Sequence, residues 1–175
     1  MNLNIISLLI VYKITITCVN VINALELTIK NDEDDFINIS DVIYDNQIDD
    51  ELILNFVDSY YDMTKVSNSF DISVFVDVTI KGNTNGTIFD YKNSFVKGIS
   101  VDYPYPGQTL KFENIIIQNF GNTEFDDEYG AIEIFAFFND FNFITDNCTF
   151  RDNYNVGILF FILDPCIFYG DCEPM

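Results

Sequence analysis

Histidine and tryptophan are absent from the 175 residues, and arginine occurs once, at Arg151. The lack of histidine removes the ligand that most zinc sites need. Basic residues are scarce throughout: eight face twenty-eight acidic ones, for a net charge of −20. A field of that sign repels nucleic acid phosphates and anionic membranes, so neither is expected as a partner. Cysteine is limited to four positions, Cys18, Cys148, Cys166 and Cys172.

Hydrophobic residues make up 49% of the chain, enough for one domain with a core. The 18 phenylalanines and 10 tyrosines, with abundant isoleucine and valine, favour pleated structure. Residues 1–24, MNLNIISLLIVYKITITCVNVINA, form an apolar stretch without an acid that ends in the small residue Ala24. They read as a secretory signal with mature protein starting near Leu25. An uncleaved anchor is the competing reading, but Lys13 divides a run already shorter than the roughly 20 residues a span requires. Loss of Lys13 with the signal moves the net charge from −20 to −21. The chain is therefore expected to be secreted or at the cell surface.

Secretion gives meaning to three sequons, at Asn38, Asn85 and Asn147, of which Asn85 in GNTNGT is the preferred acceptor. Removing the signal also removes Cys18 and leaves three cysteines. Cys166 and Cys172, six residues apart in DPCIFYGDC, are the expected disulfide, and Cys148 reads as a small buried apolar residue.

Between residues 31 and 50 the apolar positions Phe36, Ile39, Val42 and Ile43 recur at helical spacing behind an acidic first turn, predicting one short amphipathic helix. Beyond it, ELILNFV, DISVFVDVTI, TIFDY, TLKFENIIIQNF, AIEIFAFF, FNFITDNCTF and GILFFI read as strands separated by Asn, Asp and Gly. Two of these segments are copies. LKFENIIIQNFGN (110–122) overlies FITDNCTFRDNYN (143–155) at an offset of 33, matching Leu110 with Phe143, Glu113 with Asp146, Asn114 with Asn147 and Ile117 with Phe150. DVTIKGN (77–83) is a weaker echo. Such a period belongs to solenoids, whose repeats bury their faces only against neighbours. Asn114 and Asn147 then mark corners, because asparagine tolerates the left-handed backbone and its amides can hydrogen-bond in stacks.

VTIKGNTNGTIFDY resembles an early coil of secreted right-handed parallel β-helix proteins of the pectate-lyase-like superfamily. KFENIIIQNF and DNCTFRDN resemble the FxNCxF repeats of β-helix surface proteins such as polymorphic outer-membrane passenger domains. The resemblance spans roughly residues 50 to 155 and implies an all-β, right-handed parallel β-helix of about four coils with an N-terminal capping helix. The expected organisation is a signal (1–24), an N-terminal strand and helix (25–50), the solenoid (51–163) and a C-terminal loop (164–175).

The same resemblance raises a test of chemistry. Pectate lyases hold calcium on carboxylates and use a basic residue as the proton acceptor. Arg151 is the sole arginine, and it reads instead as an exposed charge paired with an acid. Glu124, Asp126, Asp127 and Glu128 supply hard oxygen atoms in one loop and are the candidate calcium ligands. Asp32, Glu33, Asp34 and Asp35 form a second cluster that a helix start explains without metal. Tyr60, Tyr61, Tyr103 and Tyr105 are candidates for stacking on sugars. No catalytic residue and no cofactor other than calcium is expected. The leading expectation is a non-enzymatic module that binds glycans or extracellular proteins or serves a structural role. A divergent calcium-dependent polysaccharide lyase or glycoside hydrolase is the alternative, and a truncated fragment of a longer β-helix protein is a third.

Overall fold

The computed structural model describes residues 23–67, 69–94, 98–121, 130–154 and 157–162. The proposed signal, the acidic loop carrying Glu124, Asp126, Asp127 and Glu128, and the segment carrying Cys166 and Cys172 lie outside them, Asn23 and Ala24 of the signal excepted.

The described residues form an all-β structure of three sheets in which every strand pairing is parallel. The first sheet takes β1 (Ala24–Ile29), β2 (Glu51–Phe56), β5 (Asp77–Lys81), β8 (Thr109–Glu113) and β11 (Asn142–Asp146) in that order. The second takes β3 (Tyr60–Asp62), β6 (Thr87–Asp90), β9 (Ile115–Gln118) and β12 (Thr149–Arg151). The third takes β4 (Phe70–Ser73), β7 (Ile99–Tyr103), β10 (Ile132–Ala136) and β13 (Ile158–Ile162). From β2 onward the chain visits the three sheets in rotation, and each strand lies beside the one three places later, as in a β-solenoid.

Alternation within strands explains this stacking. In β2 the buried residues are Leu52, Leu54 and Phe56, and the residues between them are half-exposed. Leu52 stands in register with Val78, Val78 with Leu110, and Leu110 with Phe143, so one apolar column crosses four strands. Since a side chain's period in a strand is two, a slip of one residue would turn every such column outward, and burial therefore fixes the register. The offset of 33 between Leu110 and Phe143 is the register of β8 and β11.

Four asparagines between strands adopt left-handed backbone: Asn93 (φ 53°), Asn114 (φ 58°), Asn119 (φ 56°) and Asn147 (φ 52°). Asn114 alone separates β8 from β9. Asn147 stands at the same corner one strand-triplet later, and its Nδ2 donates to Asn114 Oδ1 at 2.7 Å. At this corner, between β5 and β6, the chain instead runs through five residues, Gly82 to Gly86.

Several expectations need correction. The segment read as one helix is two, α1 (Asp34–Ile37) and α2 (Ile39–Asp45), interrupted at Asn38 with φ −110° and ψ 38°. DISVFVDVTI divides at Val74 to Val76 into β4 and β5, while TLKFENIIIQNF divides at Asn114. β3 and β7 have no counterpart among the expected runs. β7 ends at Tyr103, which is buried.

The helices bury Phe36, Ile39 and Ile43. Their side chains also occupy the free side of β4. Ser40 Oγ donates to the Ser69 carbonyl and accepts the Asp71 N–H, both at 2.8 Å. Gln47 Nε2 donates to the Ser73 carbonyl at 2.7 Å, and its Oε1 accepts the N–H groups of Phe75 and Val76 at 2.8 and 3.3 Å. A serine and a glutamine thus bond the Asp71 N–H and the Ser73 carbonyl on the outer edge of β4, groups that a further strand would otherwise use.

Candidate functional site

The final residues of the second sheet's strands form one outward-facing column. Asp62 pairs with Asp90, Asp90 with Gln118, and Gln118 with Arg151. Asp62 and Asp90 are the buried acids among the described residues, 7% and 8% exposed. Buried carboxylates persist only when hydrogen-bonded or paired, and both are.

Asp90 accepts four bonds. Asn119 Nδ2 (2.8 Å) and the Lys92 backbone N–H (2.9 Å) reach Oδ1, while Gln118 Nε2 (3.0 Å) and the Tyr60 hydroxyl (3.2 Å) reach Oδ2. Asp62 accepts the Thr64 hydroxyl (2.6 Å) and N–H (3.2 Å) on Oδ1 and the Lys92 ammonium (2.6 Å) on Oδ2. Arg151 was expected to pair with an acid. Instead its Nε and Nη2 both donate to Gln118 Oε1, at 2.9 and 2.6 Å. This fixes the Gln118 amide, whose oxygen meets the guanidinium and whose nitrogen meets Asp90.

Burial alone would push both carboxyls up, but the donors outweigh it and hold Asp62 and Asp90 below the usual carboxylate range. The Tyr60 hydroxyl is raised by burial and by the Asp90 charge, and the Asp62 hydrogen bond raises Lys92. A general acid for glycosidic cleavage needs a raised carboxyl, and this pair is tuned in the opposite direction. Asp102, on the third sheet, is raised by burial and partly offset by the Ser73 hydroxyl that donates to it at 2.8 Å.

Because their folded values lie below the unfolded ones, Asp62 and Asp90 contribute stability that is present above about pH 4 and lost as pH falls through the folded values. Asp102 acts in the opposite sense. Replacing Asp90 with Asn removes the charge that four donors face and is expected to cost about 2 kcal/mol at neutral pH. Thermal melts from about pH 6 to about pH 3 should show the wild-type midpoint falling toward that of Asp90→Asn. Parallel curves would refute the assignment.

The other sequence candidates are dispersed. Tyr61 and Tyr103 are fully buried, their hydroxyls donating to the carbonyls of Ile29 (2.6 Å) and Asn142 (2.9 Å), and Tyr60 is held by Asp90. Tyr105 is exposed, so the four tyrosines form no common strip. In the second acidic cluster Asp32 pairs with Lys65, Glu33 with Lys30 at 3.2 Å, and Asp34 and Asp35 lie in the first turn of α1. No group of three or more potential metal-ligating residues occurs among the described residues. Asn38 Nδ2 donates to the Asp34 carbonyl and Asn147 Nδ2 to Asn114, whereas Asn85 is exposed in a turn closed through Asn83. Cys148 is a half-buried free thiol beside Phe112, Ile115 and Phe150. No helix among the described residues is long and apolar enough to cross a membrane.

The polar column was not expected from sequence. Its signal is a polar residue closing each short strand, in YYD, TIFD, IIIQ and TFR. Comparisons with protein families, curated proteins and solved structures find no match to this chain.

Proposed function

We propose that the chain is a secreted or cell-surface, non-enzymatic right-handed parallel β-helix of the pectate-lyase-like type. In this reading β2 to β13 make four coils, α1 and α2 cap the N-terminal end, and the outer faces bind extracellular glycans or proteins. The rotation of strands through three parallel sheets supports the architecture, and the side-chain bonds from α2 to β4 support the cap. The observation that carries the functional reading is the saturation of the buried carboxylates. With Asp62 and Asp90 fully engaged and held ionised, and the Arg151 guanidinium turned onto Gln118, the column supplies rigidity rather than proton transfer. Asn85 is the sequon whose amide is best presented to a glycosyltransferase.

The test is incubation of the purified chain with neutral and uronate polysaccharides, with and without calcium. Retention of polysaccharide without new reducing ends or unsaturated uronides is expected. Release of either product would overturn the non-enzymatic reading in favour of the lyase or hydrolase alternative.

A further inference from the structure

The last strand of each sheet is an open edge. Among the described residues no strand pairs with the outer side of β11, β12 or β13. Inward-facing residues on these strands are correspondingly uncovered. Phe160 and Ile162 are 49% and 64% exposed, whereas their partners in register, Ile134 and Ala136, have no exposed surface. Phe143 is half-buried beside the fully buried Leu110. Thr145, Cys148 and Phe150 also line, with Phe112, a hollow of about 160 Å³ that includes the solvent at its mouth.

The peptide groups of β11 show what kind of partner fits. The Asn142 N–H donates to the Gln108 carbonyl and the Asp146 carbonyl accepts the Asn114 N–H, so these groups face β8. Successive residues of a strand direct their peptide groups to opposite edges, which leaves the Phe143 and Thr145 N–H groups on the open side. They need carbonyl acceptors at strand spacing, and another strand supplies them.

The chain itself has such a strand within reach. Passage from the third sheet to the first takes three residues between β4 and β5, and five both between β7 and β8 and between β10 and β11. Counted from the end of β13 at Ile162, those links start the next strand at residue 166 or 168. The shorter link gives CIFYG, 166–170, with Ile167 beside Phe143 and Tyr169 beside Thr145 on the inner face. The longer one turns Asp171 inward, a carboxylate among apolar side chains. Pro165 falls in the shorter link, where its missing N–H breaks no ladder.

We infer that residues 166–170, which lie outside the described residues, pair in parallel with β11, and that Ile167 and Tyr169 cover the open end of the core. The Phe143 N–H then meets the Cys166 carbonyl and the Thr145 N–H the Phe168 carbonyl, repeating the pattern between β11 and β8. A segment tethered three residues from β13 loses none of the translational freedom that docking a second copy would remove. Head-to-tail stacking of copies is also opposed, because Ser40 and Gln47 already bond β4 at the opposite end. The strand takes the place of the Cys166–Cys172 bridge expected from sequence. Five extended residues separate their ends by about 13 Å, whereas a disulfide holds its Cα atoms within about 7 Å. This inference goes beyond the glycan-binding reading and does not depend on it.

Native-state hydrogen exchange of the purified full chain, read by NMR, tests it. The Phe143 and Thr145 amides are expected to exchange within about tenfold of the Asn142 and Ile144 amides, which face β8. Tyr169→Asp should speed exchange at Phe143 and Thr145 about tenfold or more while β5 stays protected. Phe168→Ser, at an outward-facing position, should leave both amides slow. Rapid exchange at Phe143 and Thr145 in the wild type overturns the inference, as does protection that Tyr169→Asp leaves intact. Protection that rises with protein concentration assigns the edge to a second copy and overturns it too. A Cys166–Cys172 disulfide in the purified chain, read by mass spectrometry, does the same.

Discussion

Phe89→Ala is expected to destabilise the chain by about 3–5 kcal/mol and to lower the thermal midpoint by on the order of 10 °C. Phe89 projects inward from β6 with no exposed surface. Its ring meets Phe56 from the first sheet at 4.9 Å, Tyr61 from its own sheet at 5.9 Å and Phe70 from the third at 6.4 Å. Tyr61 in turn meets Phe36 of α1 at 5.0 Å. One side chain therefore links all three sheets, and through Tyr61 the helical segment. Removing it opens a cavity whose walls are held apart by parallel backbone ladders, so collapse cannot fill the space. Phe89→Leu, which keeps most of the volume, should cost less than half as much. Equal midpoints for Phe89→Ala and wild type in a circular-dichroism melt would refute this account of the core.

Gly82→Ala is expected to cost about 2–3 kcal/mol, although the substitution adds one methyl group. A Cβ at Gly82 would lie 2.4 Å from the Asn114 carbonyl oxygen, 2.9 Å from Thr87 Cβ and 3.0 Å from Ile115 Cδ1. The Asn114 oxygen cannot retreat freely, since it accepts the Thr87 N–H at 2.9 Å while the Asn114 N–H donates to Asp146 at 3.0 Å. Gly107 is the informative comparison. A Cβ there meets nothing within 4 Å, but φ is 91°, so Gly107→Ala carries only backbone strain of about 1 kcal/mol. Chemical denaturation of both variants should rank Gly82→Ala as the weaker protein. The reverse order would show that the corner accommodates a side chain.

The parts of this fold legible in sequence are those where coil length is constant. Leu110 and Phe143, Glu113 and Asp146, and Ile117 and Phe150 all pair at the single offset of 33 that the repeated text displays. Earlier, the period is broken. Leu52 pairs with Val78, 26 residues on, and Val78 with Leu110, 32 on, because the link before β3 takes three residues and the one before β6 five, and the link before β5 takes three and the one before β8 five. The polar column was hidden for this reason: Asp62, Asp90 and Gln118 are 28 apart, but Arg151 follows after 33. Local pattern missed β3 because three residues are too few to show a period, and β7 because Pro104 follows it at once. The contacts of Tyr44 with Phe75 and of Phe75 with Tyr105 join a helix to two corners, a proximity that no alternation within one segment encodes.

Ser40 and Gln47, by bonding the Asp71 N–H and the Ser73 carbonyl of β4, also give the molecule a direction of growth. During synthesis the helical segment leaves the ribosome before the first full set of three strands, so the side chains that bond β4 are already made when it emerges. Every later strand then lands on one made about 26 to 33 residues earlier, and no step waits for a distant part of the chain. Assembly can keep pace with translation, with the exposed growing edge only one turn deep at any moment.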